Sequence, residues 1–300
     1  MASSEPLVYS VRKMEEKDIP QVVDIWKETG LAEGVHCVDS WFGFDPDGFY
    51  VAANDEGFVY GVCSAVNLNQ NLSFLGLYAV RNEFQKKGIG LKIWKVAMQH
   101  VGERNAGLNS VPEHLHTYRD LAGFSIVTKW QSIVYESNNI CPDNLLKSLK
   151  SVEVKTIDES ILDDVIDYDC KVHGFDRSKI VRLSTNETGS VAVAAKTERG
   201  VCGYGSITKN IQGTSLVGPL YADSREVAEI LLWHLIQKFP TTLEDGLTIM
   251  AIDCNPHAVE VANTLGLKKM MEVPRCYRKN EVAANFNKIY GQHALNFSTF

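Results

Sequence analysis

The stretch VRKMEEKDIPQVVDI at residues 11–25 returns as VKTIDESILDDVIDY at residues 154–168, 143 positions later. Each copy reads as a short strand, an acidic turn and an amphipathic helix. Ile19, Val22, Val23 and Trp26 fall on one helical face, and Leu162, Val165 and Ile166 take the same places in the second copy. The spacing persists downstream. VAANDEGFVYGVCS (51–64) matches VAAKTERGVCGYGS (193–206), and both read as strand hairpins around a polar turn. Leu77-Tyr78-Ala79 answers Leu220-Tyr221-Ala222, and Gly123-Phe124 answers Gly266-Leu267, each Gly closing a second helix before a final extended stretch. The ordered matches predict one fold written twice, with strand, helix, hairpin strands, strand, helix, strand, helix and strand in each half. That order is α/β in class, a layered α+β architecture in which each half is a mixed twisted sheet with helices on both faces.

The polar segment SNNICPDNLLKSLKS (137–151) divides the copies. The expected organisation is a first domain over residues 1–137, a linker over 138–151 and a second domain over 152–300. Residues 281–300 have no counterpart in the first half, and 289–300 read either as an extra strand or as a loose tail. An apolar fraction of 45% with 22% charged residues is ordinary for a globular chain. The net charge of -7 is shared almost evenly by the halves. Neither half therefore offers the basic footprint that nucleic acid or an anionic membrane needs. Seven cysteines without a CxxC pair suit a reducing compartment and exclude a zinc ribbon. The polar start and the lack of a long apolar run lead us to expect a cytoplasmic protein that does not enter membranes.

The copies differ at one place. Trp94 and Trp233 stand at a separation shorter than the other pairs, so the second copy lacks about four residues between strand and helix. In the first copy that place reads YAVRNEFQKKGIGLKIWKVAMQHV (78–101): a strand, the loop Gln85-Lys86-Lys87-Gly88-Ile89-Gly90, then a helix. Glycines at a strand-to-helix turn let backbone approach an anion, and the free N–H groups and dipole of the helix start favour negative charge. Lys86 and Lys87 add local positive charge. The spacing matches neither a P-loop nor a Rossmann turn.

With its preceding strand, this loop resembles the GNAT superfamily of acyl-CoA-dependent N-acetyltransferases, whose signature is a strand followed by [Q/R]-x-x-G-x-[G/A] opening a helix. Gln85, Gly88 and Gly90 match the three defined positions, while the proline common after the strand is replaced by Asn82. The resemblance covers residues 8–136 well and 152–279 more faintly, as in tandem members with a degenerate C-terminal domain. It implies that the amides of Gln85, Lys86, Lys87, Gly88, Ile89 and Gly90 hold the CoA pyrophosphate. Ala79 and Val80 would pair with the pantetheine arm, and a strand amide would polarise the thioester carbonyl. The implied reaction is transfer of an acetyl group from acetyl-CoA to a small-molecule amine or a peptide amino group, by direct attack and without a metal. A helix start gives at most about 2 kcal/mol toward a bound anion, whereas micromolar affinity takes about 8 kcal/mol. The strand pairing must therefore contribute as well.

In GNAT enzymes a Tyr usually four residues before a Gly-Phe pair protonates the departing thiolate. Here Arg119 is four residues before Gly123 and Tyr118 five. One residue is about 100° of helix, so Tyr118 is the acid candidate if a one-residue bulge turns it inward, and otherwise packs at a helix edge. Glu113, His114 and His116 are candidate bases, set against deprotonation through water or a merely structural role. His114-x-His116 lacks a third metal ligand. In the second half, GPLYADSREVAEI (218–230) places Asp223 and Glu226 where a pyrophosphate would sit, with Arg225 between them, and Val261 and Ala262 occupy the acid positions. That half is expected to have kept the frame and lost the cofactor loop. It would then supply part of the acceptor pocket or stand in for a dimer partner, in a monomer or a homodimer. The alternative to an enzyme is a non-catalytic acyl-CoA-binding sensor.

Overall fold

The computed structural model describes residues 7–294 and 296–298. The first half contains β1 (Ser10–Lys13), α1 (Ile19–Glu28), α2 (Cys37–Phe44), β2 (Phe49–Ala53), β3 (Val59–Asn67), β4 (Leu72–Val80), α3 (Ile89–Val101), β5 (Asn105–Asn109) and β6 (Ile126–Ser137). The second repeats this order with β7 (Glu153–Thr156), α4 (Leu162–His173), α5 (Ser178–Thr185), β8 (Val191–Thr197), β9 (Gly200–Lys209) and β10 (Ser215–Ala222). It continues with α6 (Arg225–Lys238), the short α7 (Thr242–Asp245), β11 (Leu247–Ile252), α8 (Pro256–Thr264), β12 (Lys268–Tyr277) and a strand without counterpart, β13 (Ile289–Gly291). Of the terminal stretch 289–300, only Ile289–Gly291 is strand, and residues 295 and 299–300 lie outside the described residues.

Of the expected face of α1, Val22 and Trp26 are buried and Ile19 and Val23 half-buried, with Ile25 buried in addition, while Leu162, Val165 and Ile166 of α4 are all buried. Besides the single-turn α7, two helices absent from the sequence reading, α2 and α5, are eight residues each, too short for a clear period. They face one another across the halves, where Ser40 Oγ donates to Glu187 Oε2 at 2.9 Å and Lys179 Nζ to the Phe44 carbonyl at 2.6 Å.

All strands join one mixed sheet in the order β1-β2-β3-β4-β5-β12-β6-β11-β10-β9-β8-β7. The last strands are traded. β12 lies between β5 and β6, with Cys276 opposite Leu108, and β6 lies between β12 and β11, with Val134 opposite Met250. Each half therefore completes its sheet with a strand from the other, and the two halves share one continuous ladder of hydrogen bonds.

The sheet opens at β4. This strand runs parallel to β5 only through Leu72–Leu75. Two residues on, Leu77 takes φ +51, a left-handed conformation that a branched side chain rarely adopts. Its carbonyl is turned into the core, where Trp26 Nε1 donates to it at 3.1 Å. From Gly76 to Val80, around this kink, the β5-facing edge has no strand partner among the described residues, and a notch opens between the two strands.

Trp26→Phe removes the indole N–H, leaving the Leu77 carbonyl buried without a donor, and also leaves a void where the second ring stood. A loss of about 1–3 kcal/mol in urea unfolding is expected, and an unchanged midpoint would show that Trp26 does not hold the kink.

Candidate functional site

A cleft of about 520 Å³ follows the notch. One wall is β4 from Leu75 to Val80, and one end is the turn into α3, with Phe84, Gln85, Lys86, Gly88 and Gly90. At this turn Lys86 (φ +62) and Gly88 (φ +80) are both left-handed. A Cβ on Gly88 would meet nothing within 4 Å, so there the glycine serves the conformation and leaves open space above the turn. Gly90 is needed for a different reason, since a Cβ there would collide with the Tyr78 hydroxyl. Gly88 is the N-cap of α3, and no side chain caps that helix start. Its first amides and the positive end of its dipole therefore face the cleft, which suits a phosphate-bearing ligand.

Of the residues singled out in the sequence, Ala79, Val80, Gln85, Lys86, Gly88 and Gly90 line the cleft. Lys87 and Ile89 do not. Lys87 Nζ sits 4.8 Å from the centre of the Phe84 ring, and the Ile89 side chain is buried under α3, which leaves only their amides for the loop. Gln85 Nε2 donates to the Val80 carbonyl at 3.0 Å and to Asn82 Oδ1 at 3.0 Å, tying the loop to the end of β4.

Tyr118 also lines the cleft. The segment Thr117–Leu121 is a π-helical turn, with Ala122 N–H donating to the Thr117 carbonyl at 3.0 Å and Phe124 N–H to the Tyr118 carbonyl at 3.0 Å. The wider turn absorbs one extra residue, so Tyr118 faces inward while Arg119 stays outside, paired with Asp120 at 2.7 Å. Trp94 stands between two phenols, 5.8 Å from the Tyr78 ring and 5.6 Å from the Tyr118 ring. Burial pushes both hydroxyls up from the usual tyrosine range, so both hold their proton at neutral pH. Glu113 and His116 are exposed and lie outside the cleft lining, whereas His114 is part of it. Trp94 and Tyr78 read in the sequence only as a helix face and a strand residue, and nothing in their spacing marks them as cleft residues.

The corresponding place in the second half is closed twice over. α6 is capped by its own Ser224, whose Oγ accepts from Val227 N–H at 3.4 Å. Arg225 is held by Glu229 at 2.7 Å and Glu260 at 2.8 Å, and Asp223 by Lys288 at 2.8 Å. β10 runs parallel to β11 through Ser215–Val217, and beyond that point β13 pairs with it, Gly291 opposite Leu220 and Ile289 opposite Tyr221. A strand of the chain itself thus fills the notch that β4 leaves open. Val261 and Ala262 are buried apolar residues, so no hydroxyl stands where Tyr118 does.

An Acetyltransferase (GNAT) family model matches residues 12–122, and a second acetyltransferase (GNAT) domain model matches residues 165–291. The chain is a tandem GNAT acyltransferase. It is 26% identical over 278 residues to holothin acyltransferase of Pseudoalteromonas sp. (strain SANK 73390), covering 90% of this chain and 88% of that relative. Its fold is similar to that of a putative acetyltransferase from Pyrococcus horikoshii (TM-score 0.74, 18% identity, 97% and 96% of the two chains). It is also similar to a tandem GNAT protein from the clavulanic acid biosynthesis pathway (TM-score 0.59, 13% identity, 90% and 98%). Among the described residues of this GNAT chain, no group of three His, Cys, Asp or Glu side chains is arranged to hold a metal, and no helix is long and apolar enough to cross a membrane.

CoA added to the protein is expected to raise its unfolding temperature. Gly88→Glu and Gly90→Glu put a carboxylate at the helix start and should abolish that rise, read against each variant's own ligand-free midpoint, because the left-handed backbone at Gly88 and the Tyr78 hydroxyl beside Gly90 make both substitutions destabilising. A rise that survives both substitutions would place CoA elsewhere.

Proposed function

We propose that the first half transfers an acetyl group from acetyl-CoA to a primary amine of a small molecule by direct attack in a ternary complex. The observation that carries this reading is a continuous cleft joining an uncapped helix start, an unpaired strand edge and a half-buried phenol. Acetyl-CoA bound there supplies the acyl group in activated form, as a thioester. The amides of Gln85 to Gly90 would bind its pyrophosphate, with Lys86 adding charge, and Ala79 and Val80 would align the arm along β4. A β4 amide directed at the thioester oxygen would stabilise developing negative charge, an effect worth about 10²–10³ in rate in other acyl-transfer sites. Tyr118 keeps its proton on Oη until the sulfur departs.

For the amine's own proton, His114 is the histidine that lines the cleft, and Glu113 and His116, outside the lining, would act through water. The likeness to holothin acyltransferase makes holothin the first acceptor to try. A net charge of -7 favours a cationic amine during encounter.

Turnover of acetyl-CoA with holothin and a panel of primary amines is the direct test. Tyr118→Phe should lower kcat by roughly 10²-fold while leaving KM for acetyl-CoA within about twofold. An unchanged kcat would remove Tyr118 from the reaction.

A further inference from the structure

The end of the cleft away from the Gln85 loop is built by both halves. It is lined by Thr29 and Leu31, from the segment between α1 and α2, by Gly76 on β4, and by Asn296 from the C-terminal segment. That first-half segment is held by second-half groups. Gln212 Nε2 donates to the carbonyls of Lys27 (3.3 Å) and Leu31 (3.0 Å), Ile211 N–H donates to the Glu33 carbonyl at 2.8 Å, and Val35 N–H donates to the Lys209 carbonyl at 2.9 Å.

The C-terminal segment arrives from β13. Having filled the second half's notch, it continues past Gly218, where a Cβ would meet the backbone of Gln292 and His293, and reaches Gly76, where a Cβ would collide with the Asn296 carbonyl. Phe297 anchors it, edge-on to Trp41 at 4.5 Å and to Phe74 at 5.4 Å. Glu33, fully buried, accepts the Asn296 backbone N–H through Oε1, and Asn296 Nδ2 donates to the Ala32 carbonyl at 3.2 Å. Nδ2 has two N–H groups, one donated to Ala32, and the side chain also bonds Glu33, so the amide oxygen is left to accept a hydrogen bond.

We propose that Asn296, held by Glu33, is a positioning residue for the acceptor, accepting a hydrogen bond from the amine or a neighbouring N–H, so that the second half completes the first half's acceptor site. Buried Glu33 is engaged by the backbone of Asn296 and Phe297 and by the Asn296 side chain, a costly use of an acidic group unless it holds this segment in place. It fixes Asn296 against β4, on the strand that also carries Ala79 and Val80 roughly 10 Å further along. The second copy would thus have exchanged its own cofactor notch for a wall of the first copy's acceptor pocket.

This inference rests on the proposed acetyl transfer, and kinetics on the intact chain separate the two. The acceptor probe is whichever of holothin or the primary amines the wild type acetylates. Asn296→Leu should raise KM for that acceptor about tenfold or more, with KM for acetyl-CoA and the affinity for CoA unchanged. Glu33→Leu should raise the same KM, and Glu33→Gln, which keeps an Oε1 acceptor for the Asn296 amide, should restore most of it. An unaltered acceptor KM in Asn296→Leu overturns the proposal. So does a parallel rise in both KM values with a lowered unfolding midpoint, because that would mark general loosening. A wild type that acetylates none of the probes defeats the acetyl-transfer reading itself, and this one with it.

Discussion

Trp26 reaches across the core to the Leu77 carbonyl, and that hydrogen bond holds the one backbone conformation on which the rest of the site depends. A strand as apolar as β4 would otherwise continue its ladder along β5. With Leu77 at φ +51 the strand turns its edge away after Leu75, and the row of peptide groups that would have served β5 is left for a ligand. The turn at Gly88 and the uncapped start of α3 lie at the end of this same edge. In the proposed site strand edge and helix start would act together, because a helix start alone, worth at most about 2 kcal/mol, falls short of micromolar affinity.

The two halves give opposite answers to one geometric problem. A parted pair of strands leaves unpaired peptide groups, and a helix start leaves unpaired amides. In the first half both remain open. In the second, β13 pairs with the strand and Ser224 caps the helix, while the basic side chain nearby is tied to two carboxylates. The traded strands β6 and β12 bind these unlike halves into one sheet, so the closed copy is well placed to brace the open one.

Much of this was legible in the sequence, because the signals are local. The 143-residue repeat, the helical faces of α1 and α4, and the loop Gln85–Gly90 each depend on residues close together in the chain. The acidic turn at Asp223 and the apolar pair Val261 and Ala262 likewise announced a half without a cofactor loop. What the sequence hides is non-local or one residue in size. The exchange of β6 and β12 changes no residue's local preference, so no pattern reveals it. The π turn at Thr117–Leu121 shows only as Tyr118 standing one place from where a regular helix would need it. A strand in 289–300 is one of two readings the sequence leaves open, but nothing in the three residues of β13 shows that it pairs with β10, and the approach of Asn296 to Gly76 joins positions more than 200 apart in the chain. The base candidates show the limit of spacing arguments, since Glu113, His114 and His116 are near neighbours and only His114 lines the cleft.

The central claim is that one notch is open and the other filled by the chain itself. Calorimetric titration of CoA into the intact protein tests it most directly. The account requires one CoA per chain, with the heat of binding lost in Gly88→Glu. Two sites per chain, or one site that persists in that variant, would contradict it.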